Sequence, residues 1–328
     1  MEISSPLHIH WEVTNECNYN CRHCYQQNDG RKFTLPQNNI LSIAKKIVEA
    51  NVFQVSISGG EPFLVSNILD ILEFFHKSNT EIIVCSNGSQ INKKHIAVLS
   101  RLSIPVQISL DSYIEEKHNE FRRSIHAFSD AINAVKNLLE NGINVSVAFC
   151  ATQYNFMDFE GIVDLCIDLG VKHLVVGEMI PVRGGDCANV EFLFTKDAYM
   201  SFTELLKQKV EQNKNDISIH VNSEWGFVFS DFYDHAPCTA LERDFAILHN
   251  GFVTPCPFVR NPAYYLGNVL ETDIIDIWKN AKSSEFYLKK NQGCNESCRF
   301  YSLCLSGCKA QLANQNSDIS RRDIRCPI

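Results

Sequence analysis

The sequence predicts an α/β protein: a partial (β/α)6 barrel of the TIM-like kind, followed by a cysteine-rich C-terminal domain. Three observations predict it. Strand-like and helix-like segments alternate six times through the first two-thirds of the chain. Short polar motifs stand just after the strand-like segments, and seven of the 14 cysteines crowd into the last third. Repeated βα units build a parallel sheet, closed or nearly closed, with helices outside and reactive groups at the carboxyl ends of the strands.

In chain order, LHIHWEV (7–13) alternates as a strand and is followed by a helix after Pro36, with Ile40, Ala44, Ile47 and Val48 on one face. FQVSIS (53–58) precedes the helical ILDILEFFH, and EIIVCS (81–86) precedes a helix near 91–100. PVQISL (105–110) leads into a helix in which Phe128, Ala131, Ile132, Val135, Leu138 and Leu139 recur at helical spacing. NVSVAFC (144–150), another helix and HLVVGEMI (173–180) complete the six units. Around residue 195 the pattern changes to a longer helix, then to EWGFVFSDFYDHAPC, then to cysteines and turns. The expected divisions are a barrel over 1–195, a bridging helix and linker over 196–230, and a cysteine-rich domain over 231–328.

Composition narrows the functional classes. With 45% hydrophobic and 21% charged residues, the chain can bury a substantial core. A net charge of -8 and the absence of a dense basic run argue against a nucleic-acid partner. The start, MEISSPLHIHWEV, lacks the regions of a signal peptide, and no stretch reaches the length of a membrane span, so a cytoplasmic protein without a membrane partner is expected. In a reducing compartment, 14 cysteines point to metal or redox chemistry rather than to disulfides.

The most informative stretch is CNYNCRHC (17–24), with Cys17, Cys21 and Cys24 on one loop after the first strand. A cubane iron–sulfur cluster has four irons, each wanting an outside ligand, so three cysteines leave one iron open. That is the logic of a catalytic zinc site that withholds a ligand for the substrate. A zinc knuckle completed from a distance and a ferredoxin-type loop are the other readings; bacterial ferredoxin loops use a different spacing and a fourth cysteine.

CNYNCRHC followed by Tyr25, directly after the first strand of a βα series, resembles the cluster loop of the radical S-adenosylmethionine (SAM) superfamily. The resemblance implies a 4Fe-4S cluster on Cys17, Cys21 and Cys24 whose open iron is chelated by SAM, with Tyr25 beside the cofactor. Reductive cleavage of SAM would then give a 5′-deoxyadenosyl radical that takes a hydrogen atom from the substrate. Further matches follow in order. SGGEP supplies Gly59, Gly60, Glu61 and Pro62, which by resemblance hold the SAM amino group. Ser86, Asn87 and Gly88 follow strand three, and SLDS supplies Ser109 and Asp111, similar to the family's ribose-binding pair. In HNEFRRSIHAF, Arg122 matches the arginine that pairs with the SAM carboxylate, and Arg123 occupies a position where the family usually has glycine. Asn155 and Met179 match places of nucleoside contact.

The last third resembles the SPASM extension of the superfamily, which carries auxiliary 4Fe-4S clusters. GFVTPC ends in Cys256, LGNVLETDIIDIW (266–278) intervenes, and CNESCRFYSLCLSGC has gaps of three, five and three, where the family's first of these gaps is two. By the family pattern Cys294, Cys298, Cys304 and Cys326 bind an outer cluster, and Cys238, Cys256 and Cys308 bind an inner one. The inner cluster's fourth place stays open to a substrate thiolate or amide, or to a non-cysteine residue, with Cys187 in RGGDCAN as a further candidate. The alternative for this field is a zinc ribbon. The total is three 4Fe-4S clusters, one binding SAM and two auxiliary. Cys85, Cys150 and Cys166, in apolar segments, read as core thiols.

What the resemblance implies for function is a peptide maturase that abstracts hydrogen from a ribosomally made precursor peptide and forms an intramolecular carbon–carbon or thioether cross-link. The alternative is a radical dehydrogenase or epimerase acting on a small sugar or amino metabolite. An iron–sulfur electron carrier or zinc adaptor is the non-enzymatic rival, distinguished by its failure to make 5′-deoxyadenosine. Sulfatase-maturating members have an acidic residue just after the cysteine matching Cys256; Pro257 and Phe258 stand here, against that activity. Sixteen residues precede Cys17, too few for a winged-helix peptide-recognition domain, so leader recognition is expected from a separate protein or from this core. Flavodoxin or ferredoxin is the expected reductant. Candidate catalytic or substrate-contacting residues are His10 and Glu12, sharing one strand face with His8, then Glu178 and Cys187. Arg183, Trp225, Phe227 and Phe229 are candidate neighbours of the substrate, with a surface ion pair and domain packing as the plainer readings.

Overall fold

Alternation along β1 (His8–Glu12) turns Ile9 and Trp11 into the core and puts His8, His10 and Glu12 on the opposite face. The computed structural model describes residues 3–26, 32–182, 190–222, 238–289, 295–298, 307–315, 318–323 and 326. The chain divides into two compact units.

The first unit comprises Met1–Asn18, Asp29–Val84 and His235–Cys326. In it β1 lies between two parallel neighbours. β2 (Gln54–Ser58) runs in register from His8↔Gln54 to Glu12↔Ser58, and β8 (Asp244–Ile247) from His8↔Asp244 to Trp11↔Ile247. β3 (Glu81–Ser86) continues the parallel series beyond β2. On the other side β9 (Phe252–Thr254) and β10 (Gly267–Asn268) turn antiparallel. α1 (Gln37–Glu49) starts after the extended Pro36 and buries Ile40, Ile43, Ala44 and Ile47, so Ile43 takes the buried place the sequence pattern gave to Val48, which is half-buried. α2 (Ile68–Lys77) buries Ile68, Ile71, Leu72 and Phe75, and the Phe75 ring meets Trp11 edge-on at 6.1 Å. α8 (Ile274–Ala281) buries Ile277 and Trp278; the indole Nε1 donates to the Ile3 carbonyl at 3.1 Å, and its ring lies 5.9 Å from Phe245 on β8.

The second unit contains Tyr19–Asn28 and Cys85–Asp234. β4 (Val106–Ser109), β5 (Val145–Ala151), β6 (His173–Glu178) and β7 (Ser218–Val221) lie side by side in chain order, all parallel. α3 (Lys93–Arg101) opens on a capping box between Asn92 and His95. α5 (Ala127–Glu140) and α6 (Phe159–Asp168) bury Ala131, Val135, Leu138, Ile162 and Val163. In α7 (Lys196–Asn213), Phe202 is fully buried among the rings of Phe149, Phe156, Phe159 and Phe194.

Each unit holds a parallel strand beyond the six that the sequence suggested: β8 beside β1, and β7 beside β6. Both are four residues long and lie where aromatic or charged neighbours blur the period-two pattern. The short α4 (Glu115–Arg122) also went unforeseen, because only His118, Phe121 and Arg122 of its eight residues are buried.

Replacing Phe202 by alanine removes a ring that packs against four aromatic partners. The expected loss is about 3–5 kcal/mol of unfolding free energy, read from urea denaturation; a loss below about 1 kcal/mol would show that this cluster is not packed as described.

Candidate active site and cluster-ligand residues

The segment leading into Cys17 is fixed from below by the loop after β2. Val13 N–H donates to Ser58 O at 3.0 Å, Gly60 N–H to Thr14 O at 2.7 Å, and Glu61 N–H to Glu16 O at 2.8 Å. Gly59 has φ +134°, and a Cβ there would lie 2.2 Å from Thr14 O; a Cβ on Gly60 would lie 2.0 Å from Glu16 O. Their lack of side chains is thus needed already for backbone against backbone. Glu61 is fully buried and its Oε1 accepts from Phe63 N–H at 3.2 Å; Pro62 begins a short 3-10 turn. Thr14 is fully buried, its Oγ1 accepting from Glu16 N–H at 2.9 Å, while Lys32 Nζ donates to the Cys17 carbonyl at 2.7 Å.

In the second unit the structure brings Asp111, Arg122, Asn155 and Cys21 together. Asp111 Oδ2 accepts from Arg122 Nε at 2.7 Å and lies 2.6 Å from Nη2, while Oδ1 accepts from Cys150 N–H at 3.0 Å. Arg122 Nη1 is 3.9 Å from Cys21 Sγ. Asn155 holds the strand ends: its Nδ2 donates to the carbonyls of Asp111 at 2.9 Å and Cys150 at 3.0 Å, and its Oδ1 accepts from Thr152. Burial by itself would raise the Asp111 carboxyl, but Arg122 holds it below the ordinary carboxylate value. Burial likewise works against the Arg122 charge, but Asp111, Cys21 and Cys150 together raise it above the ordinary arginine value. Burial and Arg122 push the His118 imidazole down to about 3, so it is neutral and accepts from Asp111 N–H at 3.1 Å. His23, stacked on Phe121 at 4.3 Å, is pushed by burial to about 4.

Arg123 ends α4 in the left-handed conformation at φ 51° and is exposed, whereas Arg122 is buried. A glycine suits that left-handed position, and the neighbouring arginine is the one turned inward. The loop that carries Cys21 and Cys24 is anchored by Arg22, which pairs with Glu120 and Glu191, both at 2.7 Å, and lies over the Phe192 ring.

The other predicted residues have definite places. Ser86 Oγ accepts from Gly88 N–H at 2.9 Å, and Asn87 Oδ1 accepts from Ser89 N–H at 2.9 Å, so both shape the turn after β3. Ser109 is the last residue of β4 and half-buried; Cys24 and Tyr25 are half-buried. Met179 packs in a core cluster with Phe121 and Phe192. Glu178, at the end of β6, is buried. Burial pushes the Cys166 thiol up to about 12, as befits a core thiol, while Cys85 and Cys150 are half-buried. Cys187, Cys294, Cys304, Arg183, Trp225, Phe227 and Phe229 lie outside the described residues.

Within the first unit, Cys238, Cys256 and Cys308 approach one another closely enough to interact. Burial first, then the charges of Cys308 and Cys238, hold the Cys256 thiol well above its ordinary value. Thiols gathered in this way suit a soft, positively charged iron centre, which stabilises them as thiolates. The sequence reading missed how they are assembled. Asn314, in the helix Lys309–Asn314 that starts right after Cys308, accepts from Arg260 N–H at 2.9 Å and donates to Phe258 O at 2.7 Å; Asn261 donates to Ala313 O at 2.9 Å. Cys308 N–H donates to Asp323 Oδ2 at 2.8 Å. Cys298 and Cys326 are half-buried.

Also missed was the partner of Glu12. Arg260 grips the fully buried carboxylate through both terminal nitrogens, Nη1 to Oε2 at 3.0 Å and Nη2 to Oε1, and His249 Nδ1 stands 3.8 Å away. Burial favours the neutral acid, but Arg260 and His249 hold Glu12 below the ordinary value, as an ion. Nothing in the spacing of Glu12 and Arg260, 248 positions apart, could pair them in advance.

Arg260→Ala leaves that carboxylate buried alone and is expected to cost about 3–5 kcal/mol at neutral pH, with most of it recovered on adding Glu12→Gln; equal stability of the single and double variants would contradict the pairing. Gly60→Ala is expected to lower the iron bound per chain after anaerobic reconstitution, because its methyl displaces the segment entering Cys17. Unchanged iron content and melting temperature would refute this.

Comparison with known proteins agrees with this geometry. Residues 11–166 match the family described as the radical SAM superfamily, and residues 238–305 match the SPASM iron–sulfur cluster-binding domain. The chain is 28% identical over 262 residues to the antilisterial bacteriocin subtilosin biosynthesis protein AlbA of Bacillus subtilis, covering 75% of this chain and 58% of that protein. It is 25% identical to the sporulation killing factor maturation protein SkfB of the same organism, covering 84% and 66%. The chain thus spans less than two-thirds of the length of these two relatives. The crystal structure of Streptococcus suis SuiB bound to S-adenosylmethionine superimposes with a TM-score of 0.82 at 19% identity, covering 100% of this chain and 78% of that one, so the fold is shared. SAM and 4Fe-4S clusters, auxiliary ones included, are the cofactors of this domain pair. The chain thus carries a radical SAM domain over residues 11–166 followed by a SPASM iron–sulfur cluster-binding domain over residues 238–305.

Proposed function

We propose that the protein is a radical SAM enzyme that modifies a ribosomally made precursor peptide, forming an intramolecular carbon–carbon or thioether cross-link. The observation that carries the reading is the buried Arg122, which reaches Cys21 of the cluster loop with one nitrogen while two others hold Asp111. Supporting it, AlbA and SkfB are named for bacteriocin biosynthesis and killing-factor maturation, and SuiB has been solved with its precursor peptide SuiA. The proposed divisions are the barrel over 1–195, the bridging helix and linker over 196–230 and the auxiliary-cluster domain over 231–328.

When bound, the cofactors supply a 5′-deoxyadenosyl radical for hydrogen abstraction and an acceptor for the electron left by oxidation. In this reading Cys17, Cys21 and Cys24 hold the SAM-binding cluster. Arg122 offers its fixed charge to the SAM carboxylate, Gly59 to Pro62 flank the amino group, and Ser109 with Asp111 face the ribose. Tyr25, Ser86, Asn87, Asn155 and Met179 complete the nucleoside surroundings. Asn155 keeps the ends of β4 and β5 in register, so that the Asp111 carboxylate is positioned before any ligand arrives. Cys238, Cys256 and Cys308 take the inner auxiliary cluster, and Cys294, Cys298, Cys304 and Cys326 the outer. A cross-link removes two hydrogens from the peptide, one as an atom and one as a proton with an electron; Glu178, buried at the end of β6, is the proposed acceptor of that proton. A flavodoxin or ferredoxin is the proposed reductant, and a separate protein or this core itself is the proposed reader of the leader.

The test is anaerobic reconstitution followed by incubation with SAM, dithionite and the short peptides encoded beside this gene. 5′-Deoxyadenosine should form, and one peptide should become lighter by two hydrogens; Cys21→Ala should abolish both. A protein that cleaves SAM but oxidises or epimerises a free sugar or amine, leaving every such peptide unchanged, would overturn the substrate assignment.

A further inference from the structure

A second cluster of ligand-type side chains lies at the opposite ends of the strands. His8, the first residue of β1, stands in register with Asp244, the first residue of β8, and His10 follows two positions on, on the same face as His8. One possible ligand atom from each of His8, His10 and Asp244 lies within 4.8 Å of the other two. The two imidazoles meet at 4.2 Å between centroids, inclined by 66°. From this we infer that the chain carries a site for a divalent transition-metal ion, of the zinc type, on His8, His10 and Asp244.

The chemistry of the donors and of their surroundings supports it. Zinc bound by two imidazoles and a carboxylate is a common ligand set, with donors about 2.0–2.2 Å from the metal. Tetrahedral donors at that range stand somewhat more than 3 Å apart, so small side-chain rotations from the present spacing suffice. Ligating histidines usually have the other ring nitrogen tied to a hydrogen-bond partner, and ligating carboxylates are themselves hydrogen-bonded. Both devices are present. His8 Nε2 lies 2.9 Å from Ser56 Oγ on β2, leaving Nδ1 for a metal, and Asp244 Oδ2 accepts from Thr239 Oγ1 at 2.6 Å. Asp244 is buried at 8% exposure, where a divalent charge would be well matched. Such an ion lies at the amino ends of β1 and β8, away from the carboxyl ends where Cys17 follows, so its role is to staple these two strands together.

The test uses the full chain with all its iron–sulfur clusters assembled, desalted, then given Zn2+ at a few equivalents and desalted again. One zinc per chain should remain beyond the iron, and its X-ray absorption should show a nitrogen and oxygen shell at about 2.0–2.1 Å. His8→Gln and Asp244→Asn should each lower zinc affinity at least tenfold and the zinc-dependent rise in melting temperature with it. Zinc surrounded by sulfur at about 2.3 Å would mean a cysteine site and would overturn the inference, as would no retained zinc or zinc retained undiminished by both variants. The spectrum of the unsubstituted protein decides the matter even if a variant fails to fold.

Discussion

Two glycines without side chains, pressed against the strand exit that precedes Cys17, are the constraint on which the rest depends. Gly59 and Gly60 let the loop after β2 come within hydrogen-bonding distance of Thr14 and Glu16, where any Cβ would collide with backbone oxygen. The exit of β1 is thereby held by main chain rather than by movable side chains. A loop that must present thiolates in a fixed arrangement gains from such an anchor, since geometric looseness of even an ångström degrades a catalytic constellation. The same stretch that the family pattern associates with the SAM amino group therefore has an architectural duty as well.

The electrostatics of the second unit follow a similar economy. Asp111 and Arg122 are both buried, and each compensates the other, so their charges persist without solvent. His118 and His23 remain neutral beside them, which keeps a single positive and a single negative centre facing Cys21 rather than a diffuse cluster. Neighbouring aromatic rings, Phe121 against Tyr154 and Phe192, close the back of this region.

Much of this was legible in the sequence because it is local. Cys17, Cys21 and Cys24 declare themselves by spacing, and the strands β1 to β6 by their apolar alternation before a helix. Arg122 was distinguishable from Arg123 only by the family pattern; the left-handed φ of Arg123 supplies the physical reason. What stayed hidden depends on residues far apart in the chain. Asn314 linking the Cys256 loop to the helix after Cys308, Arg260 gripping Glu12, and Asp244 beside His8 leave no periodic trace, since each is a single polar residue whose partner is set by tertiary packing. β7 and β8 were missed for a related reason: four residues are too few to show a period.

The place of β8 beside β1 has a consequence for how the protein is made. A nascent chain leaving the ribosome presents its first strand early, yet one edge of that strand finds its partner only once residues 244–247 have emerged. Throughout most of synthesis the backbone donors and acceptors along that edge are open to mispairing with other strands.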